Sequence, residues 1–214
     1  MQDFRNEDGA ILVKNLIKVI QENKDYLSEV DGAIGDGDHG VNMNKGFTLC
    51  GSKLGDRTVN MSEALNVLGR TLIMEIGGSM GPLYGTFFMG LSKACKDKET
   101  IDKYVFGEML QSAVEGLQAF DKAKVGDKTL MDALIPAVDA YKAALSSGRD
   151  FNEALGEMKL ASEKGKEATR DLVAKIGRAS RLGERSRGIL DAGATSCNLI
   201  LQSMANSIME LTIQ

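Results

Sequence analysis

Residues 106–117 read FGEMLQSAVEGL, and their apolar side chains fall at Phe106, Met109, Leu110, Ala113, Val114 and Leu117. Steps of three and four keep one face of a 3.6-residue helix apolar, whereas a half-buried strand would need every second residue. The same stripe recurs on either side. Toward the N-terminus it runs through Leu12, Leu16, Val19, Ile20 and Leu27. Toward the C-terminus it runs through Leu130, Leu134, Ala137, Tyr141 and Leu145, then Phe151, Leu155, Met158, Leu172 and Ile176. It closes with Cys197, Ile200, Leu201, Met204, Ile208 and Leu211. Shorter helices fit residues 41–54, 61–75 and 82–96, with Asn60 and Glu63 spaced as a capping box and Pro82 in a first turn. No segment alternates convincingly in β-branched residues. The reading is an all-α chain of about eight helices, one domain over residues 1–214, with short connections that point to antiparallel neighbours.

Composition narrows the function classes. The 214 residues are 43% apolar and 26% charged, a globular balance, with a net charge of −4. That weakly acidic character argues against holding nucleic acid or an anionic membrane by charge. No apolar run approaches the roughly 18 residues of a membrane-spanning helix. The opening MQDFRNEDG has no basic-then-apolar signal pattern, so the cytoplasm is the expected compartment. Cys50, Cys95 and Cys197 are widely spaced in apolar stretches and read as buried free thiols. His39 is the only histidine, which excludes a histidine-rich zinc site. The 24 glycines against two prolines suggest loops that bring backbone close to something.

Four stretches interrupt the helical pattern: residues 31–40, 77–81, 124–128 and 180–193. Each carries small or charged residues just before the next helix, whose free N–H groups suit an anion. The first, within VDGAIGDGDHGVNMNKGF at 30–47, formally matches G-x-G-x-x-G. Asp36 and Asp38 inside it would repel a pyrophosphate, and no strand precedes it, so a dinucleotide fingerprint is rejected. A calcium loop starting at Asp36 would put Phe47 where a bidentate glutamate belongs. What remains is Asp31, Asp36 and Asp38 on a glycine-rich loop. Two carboxylates about 4 Å apart repel by roughly 4 kcal/mol at an effective dielectric of 20, so three gathered together call for a hard cation. Mg²⁺ takes a few carboxylates together with water and phosphate oxygens. The stretch GGSMGP at 77–82 offers amides and a hydroxyl, and SRLGERSRG at 180–188 offers arginines to phosphoryl oxygens. There is no Walker A motif and no protein-kinase motif set. Phosphoryl transfer needs mostly positioning and charge neutralisation, which this inventory can supply.

Several motifs then fall into one order. DGAIGDGDHGxNM from Asp31, GGSxGPLYGT from Gly77, GDKT from Gly126, GRAS from Gly177, LGERS from Leu182 and DxGATS from Asp191 resemble the L-subunit family of dihydroxyacetone kinases. The resemblance runs from about Leu12 to the end of the chain. It implies a closed barrel of antiparallel helices with a nucleotide, ADP or ATP, at one end. It implies two Mg²⁺ ions on Asp31, Asp36 and Asp38. His39, Gly40, Val41 and Asn42 would lie against the nucleotide, with Ser79 and Met80 at its phosphates. Thr129, Leu130, Asp191, Ala192 and Gly193 would complete the pocket, and Arg178 would stabilise the moving phosphoryl group. No residue would serve as a covalent carrier, His39 included.

The partners implied are a dihydroxyacetone-binding K subunit and, in the sugar-phosphotransferase-system form, an M subunit carrying a phosphohistidine. A transcription regulator and a homodimeric state also belong to what the resemblance allows. Two rivals accompany this reading: an ATP-dependent dihydroxyacetone or ketotetrose kinase subunit, and a nucleotide-sensing regulatory module. The chain departs from the family at Met80, where a small residue is usual, and at Ala192, where proline is common. Arg181 and Arg187 are extra positive charges in the motif near the site.

Overall fold

The computed structural model describes residues 2–213, and helix dominates it. Among these residues there are nine α-helices: α1 (Ala10–Glu22), α2 (Lys24–Gly32), α3 (His39–Leu54), α4 (Met61–Glu75), α5 (Met80–Cys95), α6 (Lys103–Phe120), α7 (Met131–Ser146), α8 (Phe151–Ala168) and α9 (Ala192–Leu211). Two of them differ from the sequence stripes. The first stripe is broken at Asn23, whose side-chain amide donates to the Val19 carbonyl at 2.8 Å and ends α1. The stripe that begins at Phe151 stops at Ala168, so Leu172 and Ile176 lie beyond the helix. Residues Thr169–Asp171, inside the stripe read as helical, form a 3₁₀ turn, and Arg178–Ser186 form 3₁₀ turns that overlap the loop expected from residue 180. The chain also forms two short antiparallel strands, β1 (Asp3–Arg5) and β2 (Thr100–Asp102), which pair Phe4 with Ile101. Three residues are too few for alternation to show in a sequence.

Helix starts follow local chemistry. Asn60 and Glu63 form a reciprocal capping box on α4, and Asp150 and Glu153 form another on α8. Asp102 accepts the amides of Tyr104 and Val105 to start α6. Each such cap is worth about 1 kcal/mol against alanine. The apolar stripes meet in one continuous core that includes Leu16, Phe47, Leu68, Phe88, Phe106 and Leu201, all fully buried. Burying each of these side chains contributes roughly 1.5–3 kcal/mol.

Packing follows a closed circuit. α1 packs on α4, α4 on α5, α5 on α6, and so on through α7, α8 and α9, which returns to α1. α3 lies against α1, α2, α4 and α5. Close approach along this circuit explains many of the glycines. A Cβ on Gly85 would stand 2.8 Å from the Gly69 carbonyl oxygen, and one on Gly90 would stand 2.7 Å from the Ala113 Cα. Those glycines belong to helix crossings of α5 with α4 and α6, and not to loops as their number first suggested.

Candidate functional site

A cleft of about 630 Å³ opens where the ends of several helices meet. Its first wall is acidic. Gly37, with φ of 76°, turns the chain between α2 and α3. One carboxylate oxygen each from Asp31, Asp36 and Asp38 lies within 4.8 Å of the others. Asp31 sits in the last turn of α2 and accepts the His39 amide at 3.3 Å. Asp36 and Asp38 both pair with Arg178, whose guanidinium is 3.6 Å from Asp38. An all-oxygen donor set of this kind suits a hard divalent cation, since carboxylates are what Mg²⁺ and Ca²⁺ prefer.

His39, at the start of α3, also lines the cleft. Its Nε2 lies 2.8 Å from the Ser196 hydroxyl, which lies 2.6 Å from the Tyr84 hydroxyl. Tyr84 in turn donates to the Gly193 carbonyl at 3.0 Å. Burial pushes the His39 pKa down to about 4, against the pull of Asp31. The imidazole is therefore neutral at pH 7, fixed in orientation by α5 and α9. Asn42 lies one turn further along α3 and reaches the same cleft. Gly40 and Val41 do not line it. Gly40 is buried against α2, where a Cβ would fall 2.0 Å from the Lys24 carbonyl oxygen, and Val41 is half exposed.

The floor is the N-terminus of α5. Gly78, with φ of 72°, turns the chain into Ser79 and Met80, and both line the cleft. Nothing lies within 4 Å of a Cβ added at Gly77 or Gly78, so the chain is uncrowded at these two positions, and both line the cleft. Free N–H groups and the positive end of the helix dipole make this an anion-receptive surface. Met80 brings an apolar side chain to it, while the backbone N–H is a donor whatever side chain stands there.

The opposite wall combines three segments. Thr129 and Leu130 come from the turn before α7, Arg178 from the 3₁₀ segment, and Asp191, Ala192 and Gly193 from the start of α9. Asp132 is buried and accepts the amides of Gly126 at 2.6 Å and Thr129 at 2.7 Å, which folds the turn back on itself. Asp191 caps α9 by accepting the Ala194 amide at 2.7 Å. Burial raises its pKa to about 7, the Ala194 amide opposes that rise, and the Asp132 charge adds to it. Arg187 is engaged by Glu184 at 3.0 Å, and neither it nor Arg181 lines the cleft.

Sequence reasoning therefore places thirteen of its fifteen site residues on one cleft: Asp31, Asp36, Asp38, His39, Asn42, Ser79, Met80, Thr129, Leu130, Arg178, Asp191, Ala192 and Gly193. It overlooked Tyr84, Lys128 and Ile176, which line the cleft as well. Tyr84 and Lys128 were legible only as members of the motifs GGSMGPLYGT and GDKT.

Comparison with known proteins places this geometry in a family. Residues 33–206 match the model of the DAK2 domain. The PEP-dependent dihydroxyacetone kinase 1, ADP-binding subunit DhaL, of Listeria innocua is 38% identical, over 86% of this chain and 88% of its own. The corresponding ADP-binding subunit DhaL of Escherichia coli is 33% identical, over 90% of this chain and 92% of its own. The crystal structure of the dihydroxyacetone kinase of C. freundii shares the fold, with a TM-score of 0.71 at 22% identity. The match covers 97% of this chain and 36% of that longer protein. The chain belongs to the DAK2-domain family, and within it to the group of ADP-binding subunits of dihydroxyacetone kinases.

Proposed function

We propose that this chain, acting as one domain, is the nucleotide-carrying subunit of a PEP-dependent dihydroxyacetone kinase. In this reading the phosphoryl group arrives from a phosphohistidine on an M subunit and leaves for dihydroxyacetone held on a K subunit. The observation that carries it is the meeting of Asp31, Asp36 and Asp38 within 4.8 Å, in one cleft with the N-terminus of α5. The names of the relatives, which are ADP-binding and PEP-dependent subunits, support the same assignment.

The residues divide the work. Asp31, Asp36 and Asp38 would hold two Mg²⁺ ions, which supply charge neutralisation between the carboxylates and the phosphates of ADP or ATP. Ser79 and the amides around Met80 receive phosphate oxygens at the helix start. His39 and Asn42 on one side, with Thr129 and Leu130 on the other, confine the nucleotide, and Asp191, Ala192 and Gly193 close the pocket. Arg178 already spans the cleft to Asp36 and Asp38, and a guanidinium fork freed from carboxylates is suited to phosphoryl oxygens. Its role is to stabilise charge as the group moves. His39, made weakly basic by burial, with its Nε2 engaged by Ser196 and three carboxylates beside it, is a poor phosphoryl acceptor and serves as a fixed contact.

The test is a titration of ADP with Mg²⁺ and with chelator, followed by phosphotransfer with partner subunits. Binding only with metal, transfer only with K and phosphorylated M subunits, and no acid-labile label on the polypeptide are the expected results. Equal ADP affinity in chelator, or turnover on free dihydroxyacetone by the pure chain, would defeat the reading. Turnover with ATP and a K subunit alone would move it to the ATP-dependent kinases.

A further inference from the structure

Lys128 is 2% exposed, yet it is a lysine, and among the described residues no carboxylate pairs with it within 4.0 Å. It is also the only described residue other than glycine with positive φ, at 63°. That conformation crowds a Cβ against its own backbone, so the surrounding structure must impose it. The side chain runs inward and ends in a cage of carbonyls. The Lys128 ammonium donates to Thr169 at 2.8 Å, Leu172 at 3.2 Å, Ser186 at 2.7 Å and Ile189 at 2.6 Å. Four acceptors share its three protons, so none is left to reach a ligand.

All four carbonyls come from the stretch between α8 and α9, which carries Ile176, Gly177, Arg178 and Ala179 to the cleft and leads into Asp191. Much of that stretch is exposed and has no apolar core of its own. Its other ties to the rest of the molecule are the Lys175 amide to the Asp127 carbonyl at 3.1 Å, the Lys175 ammonium to the Asp127 carboxylate at 3.3 Å, and Arg178 to Asp36 and Asp38, while the Gly188 amide to the Arg170 carbonyl at 2.7 Å closes the stretch on itself. The base of the lysine is held independently, because Asp132 secures the turn on either side of it at Gly126 and Thr129. Buried carbonyls left without a donor are costly, so the cage is stable only around a cation or a set of N–H groups.

We propose that Lys128 is a positioning residue: its buried ammonium clamps the 169–189 segment to the 126–132 turn and thereby sets the wall that presents Arg178 and Asp191. This rests on the nucleotide-binding reading for its consequence, but the clamp itself is separately measurable. Lys128→Met keeps the length of the side chain and removes every donor. Amide exchange at Lys175 and Gly188 is expected to quicken at least about tenfold in this variant, while exchange in α4 and α5 is unchanged. ADP affinity with Mg²⁺, measured at a temperature where circular dichroism shows the variant fully folded, is expected to fall about 10- to 100-fold. A purely structural lysine would lower the melting temperature and leave that affinity alone. Unchanged exchange at Lys175 and Gly188 overturns the clamp, and quickened exchange with ADP affinity within about twofold of the parent overturns the positioning role. Should Lys128→Met fail to fold, Lys128→Gln, which keeps two N–H donors, is read by the same two measurements. A parent chain that binds no ADP defeats the functional reading instead, and amide exchange alone then decides the clamp.

Discussion

The two walls of the cleft solve opposite problems. On the acidic wall, Asp36 and Asp38 have, among the described residues, a single ion-pair partner, Arg178. On the facing wall, Asp132 accepts two backbone amides and Lys128 donates to four carbonyls, so buried charge is answered from within the chain. One wall has capacity left for a ligand, and the other spends its polar groups on holding its own shape. A binding site needs both, because an unanswered charge attracts ligand only when something rigid stands opposite it.

Substitutions should therefore separate binding from stability by wall. The largest expected effect is on the acidic side: Asp36→Asn should weaken ADP binding in Mg²⁺ by about 100-fold or more, read by calorimetry, with helical content unchanged. A loss below about tenfold would mean that the two walls share the cation-binding work, and would break the contrast. Next, Asp132→Ala should lower stability by about 2–3 kcal/mol in urea denaturation, since it strands the Gly126 and Thr129 amides. The corresponding loss for Asp36→Asn should be near zero.

Asp191 sharpens the contrast through pH. Its carboxyl is lifted by burial from 3.8 to about 7. Between those values the folded chain keeps a proton that the unfolded chain releases, so this group removes stability as pH rises through the window and adds no further change above it. In Asp191→Asn the cap to Ala194 remains available and the titration does not. The stability of the variant relative to the parent should thus grow from about pH 4 to about pH 7, measured in chelator without nucleotide. A constant difference would show that the carboxyl is ionised throughout. The smallest effect is expected on the floor, where Met80→Ser should change ADP affinity by less than about threefold, because the helix-start amide stays in place.

The helices were legible because burial imposes a 3.6-residue period, and the acidic wall because three aspartates fall within eight consecutive positions, 31–38. Other features had no local signature. Leu172 and Ile176 continue the stripe of α8 in register, and neither glycine nor proline stands between Ala168 and Ile176 to stop it. The helix ends where Thr169 hooks its hydroxyl to the Lys166 carbonyl and offers its own carbonyl to Lys128, 41 residues away. The same separation hid Lys128, whose acceptors lie 41 to 61 residues downstream. Gly40 misled for a related reason: it belongs to the motif, but its smallness serves the contact with α2.

The crossings of α5 restrict how this sequence can drift. Most core positions have neighbours in chemical space, so leucine can pass to methionine or isoleucine by steps that conserve volume. Gly69, Gly85 and Gly90 have none, since a methyl group at any of them meets a neighbour at 3.0 Å or less, backbone atoms among them. Change there is discontinuous. A library built on this scaffold can vary the cleft wall by wall, provided that those three positions are left out of the alphabet.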